Sequence, residues 1–92
     1  DLTVAADDVD LGYPEIDVGV IPAIHYAHLP RQISRAKAFE LLFCGTPIPA
    51  AEAAALGIIN HAVPRAELET KALSLAGVLA AKSPTIMALG RA

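Results

Sequence analysis

Residues 29–64 read "LPRQISRAKAFELLFCGTPIPAAEAAALGIINHAVP". From about Gln32, the residues Ile33, Ala36, Phe39 and Phe43 recur at helical spacing and share one face. Gly45 follows Cys44 as a C-terminal stop, so the spacing predicts a helix from about Gln32 to Cys44. Thr46-Pro47-Ile48-Pro49 is a rigid connector, because each proline ring fixes its own φ. Ala50 to Leu56 is a second helix. It carries Glu52 in its first turn, where the helix dipole favours a negative charge, and Gly57 just past its end. Ile58 to Val63 then reads as a brief extended piece.

Outward from this run the pattern stays mixed. Beyond Pro64, a longer helix is expected over about Ala66 to Lys82, with Leu68, Ala72, Leu75 and Leu79 as its stripe. Ser83-Pro84 is a cap followed by a proline suited to a first helical position, so a last helix opens there. Toward the other end, Leu2 to Ala6 is a short apolar strand that turns at Asp7-Asp8, and Val9 to Tyr13 is a second extended segment. Gly12 and Pro14 break regularity on either side of Tyr13. Ile16 to Ile21 is apolar except for Asp17, and Gly19 permits backbone geometry that other residues resist. Pro22 is placed to open a helix that runs from Ala23 to Leu29 and is stopped by Pro30. There is no internal repeat and no low-complexity linker.

Composition bounds the rest. A chain of 92 residues buries only about 60–65% of the surface it exposes when unfolded. Yet 54% of its residues are apolar, against a usual ~45–50%. The excess implies packing against something else, either a remaining part of the same protein or other subunits. Asp1 runs straight into a strand pattern and the last residues fall inside a helix, so both ends read as cut. A net charge of −3 provides no basic footprint for nucleic acid. No apolar run approaches the ~20 residues that span a bilayer, and no signal-type start is present. Neither nucleic acid nor membrane is expected as a partner. The lone Cys44 cannot form an internal disulfide, which makes a reducing, cytoplasmic setting the expectation.

Glu15 is the first candidate for chemistry. The plain reading is a solvated loop glutamate, since most charged residues stay exposed. The functional reading is a general acid/base: proton transfer at carbon needs a carboxyl tuned toward working pH, and apolar surroundings tune it that way. Pro14 and the apolar chain after Glu15 are placed to supply such a setting. His25 and His28 are three apart and can share a helix face, but no further zinc ligands stand at a useful spacing and His61 is remote. No metal is expected. Tyr26 and the histidines then line a packed surface or a pocket rim. Cys44 reads as a small buried apolar residue rather than a nucleophile. Arg31, Arg35 and Lys37 read as a solvated helix face, and "GTPIPA" is not a phosphate loop.

Together, these stretches resemble the crotonase (enoyl-CoA hydratase/isomerase) family along nearly the whole chain. "DLTVAADD" is similar to the strand after the family's first catalytic helix. "LGYPEIDVGVIPA" resembles its FGxPExxxGxxPG segment. The run from Leu29 to Pro64 resembles LxRxxGxxxAxELxxTGxxIxAxEAxxxGLVxxVVP. It is the ordered series that is specific, not any one block. The resemblance implies an α/β fold, a repeated ββα spiral with a helical C-terminal region that packs into trimers or hexamers. Residues 1–21 would be the end of the ββα core and residues 22–92 the mostly helical C-terminal part, truncated. It also implies an acyl-CoA substrate in lipid and fatty acid metabolism, whose thioester oxygen is held by two backbone N–H groups that stabilise an enolate. No cofactor is implied beyond the coenzyme A of the substrate.

By the same resemblance, Glu15 is one of the two hydratase glutamates, and Tyr13, Pro14, Pro22, Ala23 and Tyr26 border the substrate. The other glutamate and both oxyanion-hole segments correspond to sequence upstream of Asp1. The family's glycine-rich GGTQ stretch is replaced by "IHYAH", its PG pair by Pro22-Ala23, a common glycine by Ser34 and a common threonine by Cys44. Dienoyl-CoA isomerases carry aspartate where this chain has Ala23. The expected reaction is hydration of a 2-enoyl-CoA. The alternatives are double-bond isomerisation, for which one carboxylate can suffice, and a catalytically inactive fragment; the 92-residue chain alone is expected to be inactive.

Overall fold

A computed structural model describes residues 1–92. The chain begins with strand β1 (Val4–Ala6) and strand β2 (Asp10–Leu11), followed by a 3₁₀ helix at Pro14–Val18. Two helices come next, α1 (Ala23–Gln32) and α2 (Arg35–Cys44). Strand β3 (Ile48–Pro49) leads into helix α3 (Ala50–Leu56), and strand β4 (His61–Val63) follows. A 3₁₀ turn at Arg65–Glu67 then opens helix α4 (Leu68–Ala80), and α5 (Pro84–Arg91) completes the chain.

Helix boundaries follow local chemistry. Ser34 caps α2 by accepting the Lys37 N–H at 3.2 Å, so this helix starts at Arg35 rather than near Gln32. Ser83 caps α5 in the same way through the Ile86 N–H at 3.4 Å. Gly45 and Gly57 end α2 and α3 in the left-handed region, at φ 69° and 86°. Pro30 does not stop α1. It removes one helical hydrogen bond near the helix end, and the Ile33 N–H still closes on the Leu29 carbonyl at 3.1 Å. Pro22 is not the first residue of that helix either. At φ −79° and ψ 69° it is the centre of an inverse γ-turn, closed by the Ala23 N–H on the Ile21 carbonyl at 2.9 Å.

Two small sheets bind the N-terminal segment to the middle of the chain. β1 and β4 pair in parallel, Val4 opposite His61 and Ala6 opposite Val63. Asn60 extends this ladder at one end: its Oδ1 accepts the Thr3 N–H at 2.8 Å and its own N–H donates to the Thr3 carbonyl. At the other end, the Asp7 N–H donates to the Val63 carbonyl, and Arg65 makes a two-pronged pair with Asp8 at 2.7 and 2.8 Å. That pair holds the Asp8 carboxyl below its usual range. β2 and β3 pair antiparallel, Leu11 opposite Ile48.

The core is formed by Leu29 of α1, Ala38, Leu41 and Leu42 of α2, Ile48, Ala50 and Ala53 of β3–α3, and Ile59. The covered face of α2 is therefore not the Ile33–Phe43 stripe. Phe39 is 61% exposed, and its ring stacks on Phe43 at 4.3 Å on the open side. Cys44, expected to be buried, is exposed beside it. Arg31 and Arg35 are solvated as expected, but Lys37 is half-buried between Glu40 and Glu52, 3.3 Å from each.

Only 11 of 92 residues are buried, and none lies in α4 or α5. The radius of gyration is 15.5 Å, where a compact chain of this length has about 12 Å. α4 and α5 meet at 103°, and no single helix is long and apolar enough to cross a membrane. Leu73, Val78, Ile86 and Leu89 stand open along these helices.

Candidate active site

Glu15 lies on the 3₁₀ helix, not in an extended loop. Pro14 occupies its first position, and Gly19 ends it in the left-handed region at φ 74°. The Glu15 carbonyl accepts N–H bonds from both Gly19 and Val20, so the backbone under the carboxyl is tied twice. The turn is seated on the C-terminal end of α2. At Gly45 a Cβ would stand 2.8 Å from Cγ2 of Ile16 and 3.1 Å from Oδ2 of Asp17, and only hydrogen leaves room for that approach.

The carboxyl itself is unusual. Oε2 of Glu15 is sealed from solvent and has no hydrogen-bond partner. A buried acceptor without a partner costs about 1–3 kcal/mol, more for a charged one. Such an atom has unused hydrogen-bonding capacity. The apolar stretch after Glu15 does not form the enclosure: Val18 and Ile21 are 75% and 68% exposed.

Tyr13 precedes the turn and stands beside Glu15. Burial pushes its phenol above the ordinary 10.0, and the Glu15 charge adds to the rise. Its ring meets His25 of α1 at 4.8 Å, tilted by 56°. Tyr13 also lines a cleft of about 240 Å³ with Leu11, Gly12, Leu41, Ile48 and Ile58. Pro22 is buried in its γ-turn, and Ala23 is exposed at the start of α1. Tyr26 stacks on Phe43 at 5.1 Å and so joins the aromatic row of α2 rather than the Tyr13–His25 pair. The structure thus brings Tyr13, next to Pro14 and Glu15 in the chain, against His25, a residue read from sequence as part of a packed surface or pocket rim rather than a metal ligand. No three His, Cys, Asp or Glu side chains converge as a metal site would require.

The enoyl-CoA hydratase/isomerase family model matches residues 1–91. The chain belongs to that family. Family members similar to it include the probable enoyl-CoA hydratase of Bacillus subtilis, 42% identical over 89 residues, a match covering 95% of this chain and 34% of that protein. The mitochondrial enoyl-CoA hydratase domain-containing protein 3 of Rattus norvegicus is 37% identical over all of this chain and 31% of its own length. Among solved family structures, a carnitinyl-CoA dehydratase from Mycobacterium avium superposes with a TM-score of 0.92 at 32% identity, covering 99% of this chain and 36% of that one. Human enoyl coenzyme A hydratase domain-containing protein 3 superposes at 0.88 with 35% identity, over 98% and 36% of the two chains. The fold is therefore a fragment of the crotonase α/β fold, and the chain spans about a third of the length of the curated relatives it matches.

Proposed function

We propose that Glu15 is the general acid/base that moves the α-proton of an acyl-CoA thioester, most directly in the hydration of a 2-enoyl-CoA. The observation that carries this reading is the sealed, unpartnered Oε2 on a doubly tied turn. In the proposed reaction, water adds to C3 of the enoyl group while one of its protons passes to the second glutamate, and the electron pair of the double bond moves to the thioester as an enolate. Glu15 gives a proton to C2 and is reprotonated from solvent as the second glutamate releases the one it took. The second glutamate, which orients the water, and the two N–H donors to the thioester oxygen belong by family pattern to sequence preceding these residues. Isomerisation is the second reading. There, a single carboxylate shuttles a proton between two carbons, and the ties on one glutamate support it equally.

In this proposal, Pro14 fixes the direction in which Glu15 leaves the chain, and Tyr13 flanks the carboxyl. Pro22, Ala23 and Tyr26 wall the acyl group, Ala23 and Tyr26 adding bulk where family members carry glycine. No cofactor is required beyond the coenzyme A of the substrate. The open apolar faces of α4 and α5 support a trimer or hexamer of the complete protein. The free, exposed Cys44 supports a reducing, cytoplasmic setting. The test is isotopic. In D₂O, the complete protein should place deuterium at C2 of its acyl-CoA product, and Glu15→Gln should slow that incorporation by about 10²-fold or more. Unchanged incorporation by the variant would refute the assignment.

A further inference from the structure

We propose that His25 is a positioning residue, acting through Tyr13: its ring holds the Tyr13 ring against the turn that carries Glu15 and so fixes the wall beside the carboxylate. The inference rests on the reading of Glu15 as the acid/base.

Three observations lead to it. First, no hydrogen bond orients Oε2 of Glu15. Its direction is set by the turn and by what packs beside it. Second, Tyr13 is that neighbour. It sits two residues before Glu15, and its half-buried phenol senses the Glu15 charge. No side-chain hydrogen bond restrains Tyr13, and as the residue capping the 3₁₀ helix it makes no cap bond either. Packing alone decides where its ring lies. Third, the aromatic ring in contact with Tyr13 is His25, tilted by 56° at 4.8 Å, a centroid distance at which aromatic rings attract. Tyr26, one residue on, is stacked on Phe43 instead.

The contact also ties together two elements that both rest on α2. The Glu15 turn sits on Gly45 at the end of α2, while α1 is anchored through buried Leu29. His25 lies in the first turn of α1, just after the γ-turn at Pro22. It therefore registers the start of α1 against the Glu15 turn. Bulk at "IHYAH" then serves two ends: Tyr26 fills the α2 side and His25 steadies the acid/base side.

The experiment compares His25→Ala, His25→Phe and Glu15→Gln in the complete protein, measuring kcat, KM and the Tyr13 phenol titration by ring-carbon NMR. His25→Ala should lower kcat by about tenfold, the worth of one good aromatic contact expressed in a transition state. It should leave KM within about twofold and let the Tyr13 phenol titrate nearer its ordinary value as water reaches the ring. His25→Phe keeps a ring at the same place and should restore both kcat and the phenol titration. A normal kcat with an unmoved phenol in His25→Ala would overturn the inference. So would a His25→Phe variant as impaired as His25→Ala, because that would assign the effect to the imidazole nitrogens rather than to the ring. Glu15→Gln separates the two readings. If that variant turns over normally, the acid/base assignment falls, while the phenol titration still reports whether His25 holds Tyr13.

Discussion

Gly45 and Ile16 meet so closely that a single methyl on Gly45 would stand 2.8 Å from Cγ2 of Ile16. Gly45 is also left-handed, at φ 69°. One residue thus ends α2 and provides the seat for the turn that bears Glu15. Both demands exclude a Cβ.

Gly45→Ala should therefore damage stability and catalysis together. The left-handed backbone costs an L-residue about 1–2 kcal/mol, and the overlap with Ile16 adds about 1–3 kcal/mol. A loss of about 2–5 kcal/mol is expected from urea unfolding of the complete protein. In variant molecules that still fold, kcat should fall by about tenfold or more as the turn shifts off its seat. Gly57→Ala is the control. Gly57 is left-handed at φ 86°, but a Cβ there would meet nothing within 4 Å. It should show the backbone cost alone and keep its kcat. Equal effects at the two glycines would contradict the seat.

Tyr13 and Glu15 make a second, spectroscopic prediction. The raised phenol pKa has burial as its larger cause and the Glu15 charge as its smaller one. Glu15→Gln should lower the Tyr13 pKa part of the way and leave it above 10.0. The sign for stability follows from a folded value above the unfolded one. The contribution of Tyr13 is fully present below about pH 10 and is lost as pH rises through the folded pKa. An unmoved phenol in Glu15→Gln would mean that the two side chains are not neighbours.

Much of this architecture was legible from capping chemistry. The helix Ala50–Leu56 with Gly57 behind it, the stop at Gly45 and the start at Pro84 all follow from residues whose preference is local. Non-local choices were not legible. Phe39 and Phe43 fall on one helical stripe, but α2 is apolar on more than one face, and the core takes Ala38, Leu41 and Leu42. Cys44 follows the stripe outward. Pro30 and Pro22 carry helix-breaking and helix-opening signals, yet one sits inside α1 and the other in a γ-turn. The signals of the 3₁₀ helix were in view, with Pro14 at its start, Glu15 and Asp17 in its first turn and Gly19 at its end. They were masked by the apolar run around them. Glu15 was found as a candidate because its type and its PE context point to chemistry. The Tyr13–His25 contact was not, because it spans a turn and a helix start that only the tertiary fold brings together.

The exposed faces predict the behaviour of the 92-residue chain alone. With 11 residues buried and Val18, Ile24 and Leu89 each at least 70% exposed, the chain leaves more apolar surface open than a monomer tolerates. It should self-associate in light scattering and turn over no enoyl-CoA. The proposed site takes its oxyanion donors from outside these residues, and loss of even one such donor typically costs ~10²–10³-fold. A compact, active monomer would contradict both statements.

The central claim is that Glu15 carries the proton. Its most direct test is steady-state turnover of a 2-enoyl-CoA by the complete protein and by its Glu15→Gln variant, each checked for unchanged folding by circular dichroism. Glutamine keeps the shape of the side chain and removes its ability to exchange a proton. The account predicts a folded variant with kcat reduced by about 10²–10⁴-fold and a KM close to that of the parent. A folded variant that turns over within a few-fold of the parent would contradict it.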